Sequence, residues 1–381
     1  MILRGARVVT PTDDLDGVAL VISGDTITEL IEESSATPAA GEQVFDLGGG
    51  LLVPGYIDIH CHGGGGADFG SADPSEIVRA ADYHAGFGTT SMLASLVSSP
   101  AAALTEQLHA VAVVAREAAT SVVGVHLEGP FLSHRRRGAH NVEHLIDPDP
   151  AAFDGWIEAS NGIPAMITVA PELPGALELI ERAHAAGVTA AIGHTDATYD
   201  EAVQAFAHGA RIATHLFNGM RPIHHREPGP VLAALDSGVA CELINDGVHL
   251  HPAIVRMVAD RDPAQVVLVT DAISATGLGD GVYGLGGQRV RVVGGRARVS
   301  NGSLAGSTLT MDEAVRRSVF DAGLSIVEAV AAATTNPARA VGLAADRGAI
   351  EVGLRADLVH LDLELRPQRV MRGGSWLPER D

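Results

Sequence analysis

Residues 189–220 read TAAIGHTDATYDEAVQAFAHGARIATHLFNGM. The pattern is strand, helix, strand. A histidine stands near the C-terminal end of each strand, His194 in Gly193-His194-Thr195 and His215 in Thr214-His215-Leu216. The two are 21 residues apart, about the length of one βα repeat. Parallel neighbouring strands would aim both imidazoles at one point above a sheet, which suits a divalent metal. The competing reading is two unrelated histidines in a chain that has 17.

Outward from this stretch the same unit recurs. Short apolar runs that end in polar residues occupy 56–62, 89–96, 122–129, 164–172, 189–195, 211–218, 239–247 and 266–272. Helical stretches with apolar residues at i, i+3, i+4 and i+7 lie between them, and several end in a glycine of C-cap type. Eight such repeats over 51–344 predict an α/β fold, the (β/α)8 TIM barrel. A doubly wound open sheet is the alternative. The barrel is preferred because polar residues gather at the C-terminal ends of at least six runs.

Both ends differ from the middle. Segments 1–50 and 345–381 alternate apolar and polar residues between Asp-Gly and Gly-Asp turn signals. They predict one small β-sandwich domain built from both termini. After the eighth run, the glycine-rich 281–307 reads as a hairpin insertion. Helices at 310–322 and 325–342 then close the barrel.

The formal charge of −21 argues against nucleic acid and against an anionic membrane surface as partners. All 26 basic residues are arginine. The lack of lysine excludes Schiff-base, P-loop and carbamylated-lysine chemistry. Cys61 and Cys241 fall in no C-x-x-C pattern and read as buried, reduced thiols. No signal-peptide pattern opens the chain, and no apolar run reaches the ~18 residues of a membrane span. A cytoplasmic protein is expected.

The metal-type residues form a series. His60 and His62 at i and i+2 of the first run face the same way, with Cys61 opposed. Glu128 ends the third run, His194 and His215 the fifth and sixth, and Asp271 the eighth. A barrel carries its active site at the C-terminal face of its strands, so these six would share one mouth. Singly, the H-x-H pair has a surface reading and each carboxylate a helix N-cap reading. Together, on five strand ends, they predict a metal site.

These residues resemble the amidohydrolase superfamily. More narrowly, HLEGPFLS, RRRGAHN, GHTDATYDEA, THLFNGM, REPG, INDGVHL, VTDAISATG and LAGSTLTMDEAV resemble the N-acetylglucosamine-6-phosphate deacetylases, in order and over nearly the whole chain. The resemblance implies a main metal held by Glu128, His194 and His215. His60 and His62 permit a second, so one or two divalent ions per subunit are expected, Zn²⁺ first and Fe²⁺ next. Glu128 takes the bridging place that a carbamylated lysine has in many relatives.

The same resemblance implies the remaining roles. Asp271 would be the general base and acid, taking a proton from water and returning it to the departing amine. His140 of the GAH motif would hold the acetamide oxygen. Arg226 and His249 would bind phosphate, Arg226 through its planar fork. Ala139, Asn218, Gly219, Leu304, Ala305 and Gly306 complete the implied substrate contacts. The expected partner is a phosphorylated N-acetyl amino sugar, and the expected assembly a homodimer with residues reaching across its interface.

Several features keep two readings. Arg135, Arg136 and Arg137 are a solvated face or a lid over the sugar phosphate. His224 and His225 beside Arg226 assist phosphate or form a solvated loop. His126 faces the same way as Glu128 and is expected behind the metal ligands. The competing functions are the same chemistry on the galactosamine epimer, a cyclic-amide amidohydrolase such as a dihydroorotase or hydantoinase relative, and an inactive barrel used for binding.

Overall fold

The computed structural model describes residues 1–117, 119–163 and 165–379. Pro164, which opens the fourth run, and the last two residues of the second terminal segment lie outside these. The eight runs form one sheet of eight parallel strands in sequential order. They are β1 (Tyr56–Cys61), β2 (Thr89–Val97), β3 (Val122–Glu128), β4 (Ala165–Val169), β5 (Thr189–Ile192), β6 (Ile212–Ala213), β7 (Ala240–Leu243) and β8 (Val266–Leu268). The Asp271 N–H donates to the His60 carbonyl at 2.8 Å, and the His62 N–H to Ala272 at 2.8 Å, joining the end of β8 back to β1. The sheet is a nearly closed (β/α)8 barrel.

One helix follows each strand: α1 (Pro74–Ala85), α2 (Ala101–Val114), α3 (Pro150–Ala159), α4 (Ala176–Ala185), α5 (Tyr199–Ala207), α6 (Gly229–Ser237), α7 (Pro252–Arg261) and α8 (Met311–Phe320). Their starts are written locally. Asp73 and Asp149 cap α1 and α3 just before a proline, and Thr198 with Glu201 forms a capping box on α5. The strands are buried on both faces, inside by their neighbours and outside by the helices, so they read as apolar runs.

Two expectations change. The glycine-rich segment forms three antiparallel strands, β9 (Gly281–Leu285), β10 (Gln288–Val293) and β11 (Arg296–Arg298), not a single hairpin. It holds two Gly-Gly turns with left-handed backbone, Gly286-Gly287 and Gly294-Gly295, and each reverses the chain once. The helix at 325–342 is two, α9 (Ile326–Ala333) and α10 (Thr335–Ala340), broken at Thr334. Pro337 cannot donate to the carbonyl four residues back and crowds it, so one continuous helix is not available.

The termini build two further sheets. Ile2–Arg4, Val18–Ser23, Thr26–Glu32 and Val44–Asp46 make one of four strands. Leu51–Pro54 pairs with Arg7–Val9 on one side and Leu358–Leu361 on the other in a sheet of six. Leu3, Leu20, Ile22, Leu358 and Met371 form a core of their own beside the main one. Among the described residues no helix is long and apolar enough to cross a membrane.

Candidate active site

Three of the strand-end residues sit in left-handed backbone: His194 (φ 46°), His215 (φ 30°) and Asp271 (φ 48°). Such non-glycine conformations cost about 1–3 kcal/mol each and persist where the surroundings impose them. Here the turn directs each side chain from the strand end into the barrel mouth.

The four histidines share one arrangement. His60 Nδ1–H donates to Glu242 Oε2 at 2.9 Å, and His62 Nδ1–H to the Ser95 carbonyl at 3.1 Å. His194 Nδ1–H donates to the Arg136 carbonyl at 2.7 Å, and His215 Nδ1–H to the Asn218 carbonyl at 3.1 Å. These bonds fix the tautomer and leave every Nε2 lone pair free toward the centre. His194 Nε2 and His215 Nε2 lie 3.1 Å apart and 3.0 and 3.1 Å from Glu128 Oε1. His60 Nε2 and His62 Nε2 lie 3.2 Å apart, and His62 Nε2 is 3.2 Å from Asp271 Oδ1. Ligand atoms ~2.1 Å from one ion at tetrahedral angles stand roughly 3.4 Å apart. Both groups, His60-His62-Asp271 and Glu128-His194-His215, thus fit a divalent metal, and all six side chains are buried. Glu128 links the groups, because its Oε2 reaches His62 Nε2 at 3.2 Å.

The ligands lie at the floor of a cavity of about 370 Å³. His140, Ala139, Asn218, Gly219, His249, Leu304 and Gly306 line its walls. Ser98 Oγ is 2.9 Å from His140 Nδ1 and 3.4 Å from the Glu128 carbonyl. With its proton given to the nearer partner, the His140 ring proton sits on Nε2, 3.3 Å from Glu128 Oε2 and facing the cavity. Burial lowers the His140 pKa to about 4, against a smaller opposing pull from Glu128, so the ring is neutral at pH 7. Burial alone would raise Asp271, but when no ion is bound, protonation of His60 and His62 outweighs it and holds the carboxyl below its ordinary value; a metal ion bound to their neutral rings would supply positive charge in its place. A proton-accepting carboxylate results.

Two glycines are required by close approach. A Cβ at Gly219 (φ +59°) would stand 2.9 Å from His194 Nδ1 and 3.2 Å from the Arg136 carbonyl. One at Gly306 (φ +59°) would stand 2.6 Å from the Asp271 carbonyl. Neither backbone could pass its histidine or aspartate with a side chain.

The residues implied by resemblance do not all meet in one chain. The Arg226 side chain is exposed, donates to His225 Nε2 at 2.7 Å and is not on the cavity wall. Ala305 turns its methyl into the small core under β9–β11. Arg135 and Arg136 do line the cavity, and both pair with Asp196, at 3.0 and 2.8 Å. Arg221 reaches the same carboxylate at 3.4 Å. His126 packs its ring against His60, 4.5 Å between centroids, and bonds Ser95 and Thr168 from below. His249 is held by Asp246, which accepts its Nδ1–H at 2.8 Å. The sequence reading missed Glu242, Ser98 and the Asp196 cluster. Glu242 had a signal, as the lone carboxylate in the strand ACEL; Ser98 and Asp196 had none.

Known proteins resemble this chain in sequence and fold. Residues 51–377 match the amidohydrolase family. The N-acetylgalactosamine-6-phosphate deacetylase of Escherichia coli O157:H7 is 36% identical over 377 residues, 98% of each chain. The N-acetylglucosamine-6-phosphate deacetylase of Bacillus subtilis is 34% identical over 354 residues, 90% of this chain and 88% of its own. A mutant N-acetyl-D-glucosamine-6-phosphate deacetylase of Mycobacterium smegmatis, solved in complex with N-acetyl-D-glucosamine-6-phosphate, superposes with a TM-score of 0.93 at 42% identity, covering 99% of this chain and 98% of that one. With a family match over residues 51–377 and relatives that span its length, the chain belongs to the amidohydrolase family, in its N-acetylglucosamine-6-phosphate deacetylase branch.

Proposed function

We propose that the protein hydrolyses the acetamide of N-acetylglucosamine 6-phosphate, releasing acetate and glucosamine 6-phosphate. One observation carries this reading: two buried ligand groups joined by Glu128 lie beneath a sugar-sized cavity, with Asp271 and His140 facing into it. A bound divalent ion, Zn²⁺ by preference for these N/O donors, supplies Lewis-acid polarisation of water and of the acetamide carbonyl. The protein supplies the rest. Asp271 takes the proton of the attacking water at its carboxylate and returns it to the amine, which leaves only when protonated. His140 presents Nε2–H to the developing oxyanion, and its neutral state lets it donate without carrying a charge.

The sugar phosphate needs donors within an acidic chain. His249, Asn218 and Gly219 offer them on the cavity wall, and Leu304 and Gly306 border the sugar. Arg226 supplies the bidentate cation from a second subunit of a cytoplasmic homodimer. Its exposure outside its own chain's cavity supports that assignment. The galactosamine epimer is the second reading, because the Escherichia coli relative is named for it. A cyclic amide is disfavoured by all three relatives and by the missing lysine.

The test is acetate release from a panel of N-acetyl hexosamines with and without the 6-phosphate, alongside metal analysis of the purified protein. N-acetylglucosamine 6-phosphate should be the best substrate, and the unphosphorylated sugar should lose at least tenfold in kcat/KM. Activity confined to a cyclic amide would overturn the reading.

A further inference from the structure

A second side chain ties the two candidate ligand groups together from behind, without belonging to either. Glu242 lies on β7, fully buried. Its Oε2 accepts from His60 Nδ1 at 2.9 Å and from the His215 backbone N–H at 3.0 Å. One oxygen therefore holds a histidine of the first group and the backbone of a histidine of the second. Its Oε1 is buried without a hydrogen-bond partner.

A buried carboxylate with one oxygen unsatisfied is costly, by several kcal/mol before compensation. Packing gives no reason for it, because an apolar side chain of the same length would fill the space without an unpaired oxygen. Charge gives one. Glu128, Asp271 and Glu242 bring three carboxylates to a single buried cluster, more than one divalent ion offsets. A carboxylate on Nδ1 also raises the basicity of Nε2 and orients the ring.

We propose that Glu242 is the positioning residue for the His60-His62-Asp271 group: it orients His60, supplies the charge that retains a divalent ion there, and through His215 registers that group against Glu128-His194-His215. The proposal rests on the metal-dependent reading of the site, but not on the substrate.

The experiment is a Zn²⁺ titration of the metal-stripped full-length protein, followed by calorimetry and by metal content after gel filtration, for wild type, Glu242→Gln and Glu242→Met. Glu242→Gln keeps an acceptor for His60 and removes the charge. Glu242→Met fills the volume with an apolar chain but leaves the His60 Nδ1–H and the His215 N–H unpaired, a loss that destabilises a buried pair, so Glu242→Gln carries the test where the Met variant does not fold. Wild type should bind two ions per chain. Both variants should bind one with wild-type affinity and the other 10–100-fold more weakly. His60→Gln should show the same loss, and adding Glu242→Gln to it should lose little more. Millimolar Zn²⁺ should restore acetate release in Glu242→Gln, which a purely structural role would not allow. Two ions bound with wild-type affinities in both variants would overturn the proposal. A wild type that binds two ions yet releases no acetate would sink the deacetylase reading and leave this one standing.

Discussion

The Arg136 carbonyl accepts the Nδ1–H of His194 at 2.7 Å, so the loop after β3 sets the orientation of a metal ligand on β5. The same loop carries His140 into the cavity. Asp196, two residues beyond His194, grips it from outside through Arg135 and Arg136. Ligand, oxyanion donor and loop are thus one mechanical unit.

That unit has a narrow tolerance at Gly219. In Gly219→Ala the new methyl would stand 2.9 Å from His194 Nδ1 and in a left-handed backbone that disfavours it. Metal affinity should fall 10–100-fold, read by competition with a chelating dye. Wild-type affinity in this variant would remove the His194–Arg136 bond from the design.

Asp271→Asn leaves Glu128, His194 and His215 intact. The variant should retain at least one ion per chain and bind the sugar phosphate, while kcat falls by about 10²–10⁴. Full turnover would take Asp271 out of proton transfer.

Arg226→Ala should raise KM for the phosphorylated substrate by about tenfold or more, the cost of a lost charge-assisted hydrogen bond of ~1.5–3 kcal/mol. If Arg226 acts across a dimer, mixing this variant with Asp271→Asn should regain activity. One site of each mixed dimer then has both residues in their native form. No recovery on mixing, with an unchanged KM, counts against the phosphate role.

His84 predicts a pH effect on stability. Burial lowers its pKa from 6.5 to about 4, against a smaller opposing pull from the Gly63 carbonyl, which lies 3.0 Å from its Nε2. Below pH 6.5 the unfolded chain takes up a proton that the folded one refuses until about pH 4. Stability is therefore lost as pH falls through that window, by about 3 kcal/mol in full and about 2 kcal/mol by pH 5. Urea unfolding at pH 7 and pH 5 should show that share disappear in His84→Gln. An identical loss in both proteins would assign the effect elsewhere.

The barrel was legible because its signals are local. Each of the eight runs is an apolar stretch of strand length, and each helix carries its own cap and stripe. The gathering of six metal-type residues at one mouth was legible for the same reason, since a strand end fixes where its last polar residue faces. Glu242 was written as plainly as Glu128, one carboxylate in an apolar strand, but without His60 beside it nothing distinguished it from a structural residue. The second Gly-Gly turn and Pro337 were visible too, and each breaks an element that periodicity alone would have continued.

Sequence alone pointed to the barrel and set six metal-type residues at its strand ends, because strand periodicity is local, and the absence of lysine left Glu128 as the bridging candidate that the family resemblance implies. Tertiary structure decided which nitrogen of each histidine faces the metal, that Asp196 gathers three arginines, and that Arg226 stands outside its own chain's cavity. Those are distances between residues far apart in the chain. Hydrogen bonds and ion pairs form only where the barrel brings their partners within ~3 Å, and no local pattern encodes that closure.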